Sequence, residues 1–195
     1  VTAPQARLDQ LPAIEAAIWQ QLAAAVGDKA HAWRTPVLST LDKSDPHQPW
    51  PDARTVVLRE VDVRQKQLFF YSDERAAKIR QLVGTPQGTF VMWSRELGWQ
   101  LRLRLQLSLE MSGLAATSRW AKLSLSPGAQ DYLAPVPPGT PLPGPHEPPR
   151  AGSSDRAYFS VVCARVAAMD WLELHRDGHR RAFFNEGEAP RWVQP

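Results

Sequence analysis

The chain has 195 residues, of which 43% are hydrophobic and 22% charged, with a formal net charge of +3 and one cysteine. That length suffices for the core of one domain, residues 1–195, and the composition is that of a globular protein. An intrachain disulfide and a Cys/His zinc motif are excluded, and no apolar run approaches the roughly 18 residues of a membrane span. The modest charge, spread along strands rather than gathered into a basic run, argues against nucleic acid as a partner. With no signal-peptide pattern and a lone Cys163, the expected setting is cytoplasmic.

Taken in chain order, Ile14, Ile18, Leu22 and Val26 recur at a four-residue spacing, which predicts a helix over 11–26 with Pro12 in its first turn and Gly27 as its stop. From Trp33 the period becomes two, giving a strand around Val37 to Leu41 and then a Pro/Asp/His loop from Asp45 to Asp52. Residues 54–62 and 66–72 read as the next two strands. Ser72 is placed to cap a helix whose first turn carries Asp73 and Glu74 and which runs to about Val83. A strand over 88–94 follows.

Residues 99–110 give the clearest pattern in the chain. Leu101, Leu103, Leu105, Leu107 and Leu109 alternate with Gln100, Arg102, Arg104, Gln106, Ser108 and Glu110, so one face enters a core and Gln100, Arg102 and Arg104 point the other way. A short helix is expected over 118–124. Residues 127–149 hold nine of the eighteen prolines and read as an extended surface segment. Strands resume near Tyr158 and continue to 195, where Asp177-Gly178 between two apolar runs predicts a type I′ hairpin. The expected fold is mainly β: six or seven antiparallel strands closing into a small barrel with peripheral helices. No glycine-rich strand-to-helix fingerprint supports a doubly wound nucleotide-binding fold.

Three segments place fixed cationic or amide groups beside apolar strands: Arg54-Thr55-Val56-Val57-Leu58-Arg59, Phe69 to Arg75 with Lys78, and Gln100 to Arg104. Any one arginine at a strand edge is usually solvated or half of a surface ion pair. Their joint occurrence points to an anionic ligand. A phosphate monoester dianion takes several charge-assisted bonds at once, and Arg59, Ser72, Arg75 and Lys78 supply two forks, a hydroxyl and an ammonium beside a helix start. Cys163, in an apolar run, reads as a core residue. His31, His47 and His146 read as solvated loop residues.

In this order and spacing the segments resemble the pyridoxamine 5′-phosphate oxidase family, the FMN-binding split barrels. The resemblance rests on Arg54 to Arg59, Phe70 to Lys78, Trp93 with Gln100 to Arg102, His179 to Arg181, and Trp192 with Pro195. It implies a split β-barrel of Greek-key type with FMN as cofactor. Arg54 and the backbone of Thr55, Val56, Val57 and Leu58 would follow the flavin ring and ribityl chain. Arg59, Ser72, Arg75 and Lys78 would hold the phosphate, and Tyr71 would line the site. FMN would sit at a two-fold homodimer interface, where Gln100, Arg102, Trp171 and Arg181 act on the partner's cofactor and His179 on the substrate. Asp177 stands where the family has an arginine that reads a substrate phosphate, and a carboxylate repels one. The resemblance therefore implies a divergent branch: an FMN-dependent oxidoreductase of other substrate, with a flavin carrier or sensor as the alternative and the authentic oxidase less favoured.

Overall fold

The computed structural model describes residues 7–110, 112–142, 144 and 158–195. Helix α1, Leu11–Gly27, opens with Pro12, which needs no intrahelical N–H partner there. It buries Ile14, Ile18, Trp19, Leu22 and Ala25, and packs mainly on the third strand. The strands are β1 (Val37–Asp42), β2 (Trp50–Thr55), β3 (Leu58–Asp62), β4 (Gln67–Asp73), β5 (Gln87–Ser94), β6 (Trp99–Glu110), β7 (Phe159–Glu173), β8 (Arg180–Asn185) and β9 (Arg191–Val193). Helix α2 is Ala77–Gly84, α3 is Gly113–Leu123, and a 3-10 turn spans Pro127–Tyr132.

All pairings are antiparallel. The sheet order is β2-β1-β5-β6-β7-β4-β3, with β8 and β9 branching from the far half of β7. The sheet does not close, as a split barrel requires. Strand β7 serves both halves: residues 159–165 pair with β4 and residues 168–173 with β8. Ala168 faces Arg104 while Val166 faces Leu105, so Ala167 is an extra residue. Such a bulge bends its strand and increases local twist, which lets one strand turn between two neighbours.

Two cores result. The larger lies inside the barrel, where Leu38, Leu58, Leu68, Phe70, Phe90, Leu101 and Leu103 are fully buried beneath α1. The smaller lies on the outer side of β4 and β7, where Phe69, Phe159, Val161 and Cys163 pack against Trp120 and Leu123 of α3 and Tyr132 of the 3-10 turn. Cys163 is buried there as a small apolar residue, with its thiol pKa raised by that burial.

Six expectations change in detail. The run 54–62 is two strands, because the chain turns at Val56-Val57: Val56 N–H donates to Pro36 and Leu58 N–H to Arg34, so β2 stays with β1 and β3 crosses to β4. Ser72 does not cap a helix. It remains in β4, and α2 starts after Ala76 with no side-chain cap. The last hairpin has a six-residue connection rather than a two-residue one. Gly178 N–H donates to the His175 carbonyl and Gly178 takes a positive φ of 104°, so Asp177-Gly178 closes a turn within a longer loop. His31 is not a free loop side chain: its Nδ1 accepts from Trp33 N–H at 3.1 Å and its Nε2 meets Gln21 Oε1 at 3.0 Å. The expected helix at 118–124 is longer, as α3, and nine strands replace six or seven among the described residues. Residues 143 and 145–149 of the proline-rich segment, with His146, lie outside the described residues.

Candidate functional site

The turn from β4 into α2 builds one polar cluster. Asp73 Oδ1 accepts the Arg75 backbone N–H at 2.8 Å, and Ala76 N–H donates to the Asp73 carbonyl at 3.1 Å. This carboxylate-stabilised turn delays the helix and sets Lys78 in its first turn, pointing back at β4. Lys78 Nζ lies 3.1 Å from Ser72 Oγ, and Ser72 is buried. Burial lowers the Lys78 pKa, the nearby Arg54 lowers it further, and Asp73 and Asp52 oppose the change.

Arg54 reaches the cluster from β2, on the face it shares with Leu38 and Thr40. Its guanidinium donates to Thr40 Oγ1 and to Gln81 Oε1 of α2 (3.1 Å) and pairs with Asp52. Gln81 completes the ring through Nε2 to Asp52 at 2.9 Å and by accepting from the Thr40 hydroxyl at 2.6 Å. Thr40, Asp52 and Gln81 were not foreseen. Nothing in the local sequence marks them, since they meet only when α2 folds over β1 and β2.

Arg75 lies in the same turn but is turned outward. It pairs with Asp73 at 2.6 Å, donates to the Ala134 carbonyl at 2.8 Å, and stacks 3.4 Å from the Tyr158 ring centroid. It is therefore not on the α2 face with Lys78.

Tyr71 and Ser72 are consecutive strand residues and point to opposite faces. Arg59, at the β3 bulge, lies with Tyr71, 5.6 Å from its ring, and beside Tyr132 and Gly128 of the 3-10 turn. Its Nε is buried without a hydrogen-bond partner among the described residues. Tyr71 donates to Glu60 at 2.8 Å, and Arg119 of α3 clasps the same carboxylate at 2.9 Å. Burial first, then Glu60, raises the Tyr71 pKa. The structure thus joins Arg54, Ser72 and Lys78, and sets Arg59 and Tyr71 apart on the other side of β4. Along residues 54–58, Thr55 is exposed and Val57 half-buried, while the N–H groups of Val56 and Leu58 are already bonded to the chain.

A third group lies on the outer face of β6, β7 and β8. Arg102 and Arg181 share Asp170, with Arg181 bonds of 2.9 and 2.8 Å to its two oxygens. Burial alone would raise the Asp170 pKa, but hydrogen bonds from Arg181 and Arg102 hold it below the usual range. Gln100 sits one row away, opposite Trp93 and Leu172. Trp171 is fully buried, 5.3 Å from Trp99 and 6.3 Å from Trp192 by ring centroids. His179 is exposed in the last loop, where its Nδ1 accepts the His175 N–H at 3.1 Å. Among the described residues no three His, Cys, Asp or Glu side chains converge as a metal site, and no helix is long and apolar enough to cross a membrane.

Residues 16–109 match the family model described as "Pyridoxamine 5'-phosphate oxidase, FMN-binding domain". No curated protein matches the chain. Among solved structures, a pyridoxamine 5'-phosphate oxidase-related, FMN binding protein from Nostoc punctiforme PCC 73102 aligns with a TM-score of 0.71 at 22% identity, covering 92% of this chain and 96% of that one. PhzG from Burkholderia lata 383, in complex with tetrahydrophenazine-1-carboxylic acid, aligns at 0.64 and 17% identity, covering 94% and 92%. General Stress Protein 26 from Bacillus anthracis str. Sterne aligns at 0.52 and 12%, covering 86% and 98%. At such identities the structural likeness is one of fold. Residues 16–109 are thus similar to the pyridoxamine 5′-phosphate oxidase-like FMN-binding domain, on a fold shared with the FMN-binding protein from Nostoc punctiforme.

Proposed function

We propose that the chain, as one domain over residues 1–195, binds FMN and works as a homodimeric FMN-dependent oxidoreductase of the oxidase-like branch. The observation that carries this reading is the Lys78 ammonium: half-buried, lowered in pKa by that burial and by Arg54, and hydrogen-bonded to the Ser72 hydroxyl. A phosphate dianion suits that position, because it offsets both effects with charge-assisted bonds. The match of residues 16–109 to an FMN-binding domain supports the flavin, and the donor set fits its phosphate end.

In this reading Lys78 and Ser72 hold the phosphate, while Arg54 is oriented toward it by Thr40, Gln81 and Asp52. Arg75 fixes the turn that aims Lys78, and Arg59 offers a second cationic point across β4. The outward segment at Thr55 and Val57 follows the ring and ribityl chain. Gln100, Arg102 and Arg181 serve the partner's cofactor from the outer sheet face. When bound, the flavin supplies two-electron transfer, and the protein supplies position and electrostatics. Asp177 is exposed in the last loop, which favours a substrate other than a phosphate ester at that loop.

An absorbance spectrum of the purified protein tests the reading. The expected result is paired flavin bands in the blue and near-ultraviolet, with FMN released on denaturation. Colourless protein that also fails to take up added FMN would sink it. Yellow protein that turns over neither amines nor reduced nicotinamides would leave the cofactor assignment standing and make the chain a flavin carrier or sensor.

A further inference from the structure

The stretch from α3 through the 3-10 turn, residues 113–134, sits on the sheet as a unit apart from the barrel core. Its buried side chains, Ala116, Trp120, Leu123, Ala129 and Tyr132, all belong to the smaller core. Trp120 and Tyr132 rest on the Phe159 ring, at 5.1 and 5.5 Å between centroids. The chain enters the unit through Gly113, which takes a φ of 89° in open surroundings, and α3 starts with no side-chain cap.

Two polar latches hold the unit down. Arg119 of α3 donates to both Glu60 oxygens at 2.9 to 3.1 Å, reaches Glu110 at 3.3 Å, and lies 4.6 Å from the Phe69 ring centroid. At the other end Arg75 donates to the Ala134 carbonyl at 2.8 Å. A unit held by a small apolar seat and half-exposed ion pairs opens more readily than a barrel of paired strands.

Beneath it lies Arg59. A side chain at Gly128 would begin 3.8 Å from an Arg59 Nη, and Tyr132 flanks the same guanidinium. The Arg59 Nε is buried with no acceptor among the described residues, and the neighbouring Glu60 is taken by Tyr71 and Arg119. A buried N–H without an acceptor costs desolvation free energy. Opening the unit wets that N–H, whereas an oxyanion under the closed unit satisfies it. The closed form is thus favoured by the anion, which is the differential affinity a ligand needs to shift a conformational equilibrium.

We infer that residues 113–134 form a lid that opens about Gly113 and closes over an oxyanion held at Arg59. The inference rests on Arg59 as a cationic point of the site, whether the oxyanion is the phosphate end of FMN or belongs to a second ligand.

Hydrogen exchange of the full-length protein, read by mass spectrometry, tests it with FMN, riboflavin and inorganic phosphate as probes. Without anion, the amides of 113–134 should exchange about tenfold faster or more than those of β5 and β6. FMN or phosphate should slow the lid about tenfold near saturation, and riboflavin should not. Slowing by FMN with no further effect of phosphate assigns the anion to the cofactor, and slowing by phosphate in the FMN-loaded protein assigns it to a second ligand. Arg119→Gln should speed lid exchange about fivefold with β5 and β6 unchanged. Arg59→Gln should abolish the response to anions, and Arg59→Lys should keep part of it. Barrel exchange in the same spectra reports whether each variant is folded. A lid that exchanges together with the barrel, no slowing by either anion, equal slowing by riboflavin, or an undiminished response in Arg59→Gln would overturn the inference. Flavin bands keep the two readings apart: yellow protein whose lid ignores both anions defeats only the lid, and colourless protein whose lid responds to phosphate defeats only the FMN reading.

Discussion

At the scale of single residues, charge placement decides what each ionisable group does. Glu173 is a buried carboxylate gripped by Arg7 at 2.5 Å and Arg180 at 2.9 Å, with Trp99 Nε1 at 3.4 Å. Burial alone would raise its pKa, but the hydrogen bonds from Arg180 and Arg7 hold it below the usual 4.5. A depressed folded-state pKa contributes stability that is fully present above the unfolded value and lost as pH falls through the folded one. Glu173→Gln should therefore cost about 2 kcal/mol at neutral pH and flatten the loss of stability below pH 4.5. Urea midpoints measured from neutrality downward check this, and parallel curves for the two proteins would contradict it. The same logic separates the arginines that sequence alone treats alike. Arg75 is satisfied by Asp73, two residues away in sequence, whereas Arg102 finds Asp170 only across a strand pair. The first partner is legible in the sequence. The second needs the register, which local pattern does not supply.

Among the elements, alternation in β6 reproduced the burial pattern because that strand has one face in the core and one outside. Leu103 is fully buried at its centre, facing Phe90 and Met169 across the neighbouring strands. Leu103→Ala should cost about 3 kcal/mol, measured by denaturant unfolding. A loss below 1 kcal/mol would mean that the inner core collapses around the gap. Helix α1 was legible for a related reason, a clean four-residue apolar repeat. The strand read over 54–62 could not be divided by pattern, nor β2 traced back to Trp50 inside the expected 45–52 loop, since the turn at Val56-Val57 depends on Pro36 and Arg34 carbonyls contributed from the chain before β1. Ser72 misled because a hydroxyl before acidic residues looks like a helix cap, while Asp73 captured the Arg75 N–H first. Arg75→Ala removes the guanidinium bonds to Asp73 and Ala134 and the stacking on Tyr158. We expect a loss of about 1–2 kcal/mol in thermal unfolding, with FMN affinity reduced less than by loss of Lys78.

For the whole molecule, the split sheet divides labour between its faces. The inner face and α2 gather Arg54, Ser72 and Lys78, the smaller core seats Arg59 and Tyr71 under α3 and the 3-10 turn, and the outer face carries Arg102, Arg104 and Arg181. The segments that composed a single site in sequence therefore occupy three places, because strand alternation sends neighbours to opposite sides. The resemblance and the fold were readable from motif order. The division of the cationic residues among faces required the pairing. The central claim is that FMN is held through its phosphate by Lys78, and flavin-fluorescence titration of apoprotein with FMN and with riboflavin tests it most directly. The account predicts that wild-type protein prefers FMN strongly, that Lys78→Ala lowers FMN affinity about tenfold or more, and that riboflavin affinity is unchanged. Equal FMN affinity in the two proteins, or an equal loss for riboflavin, would contradict it.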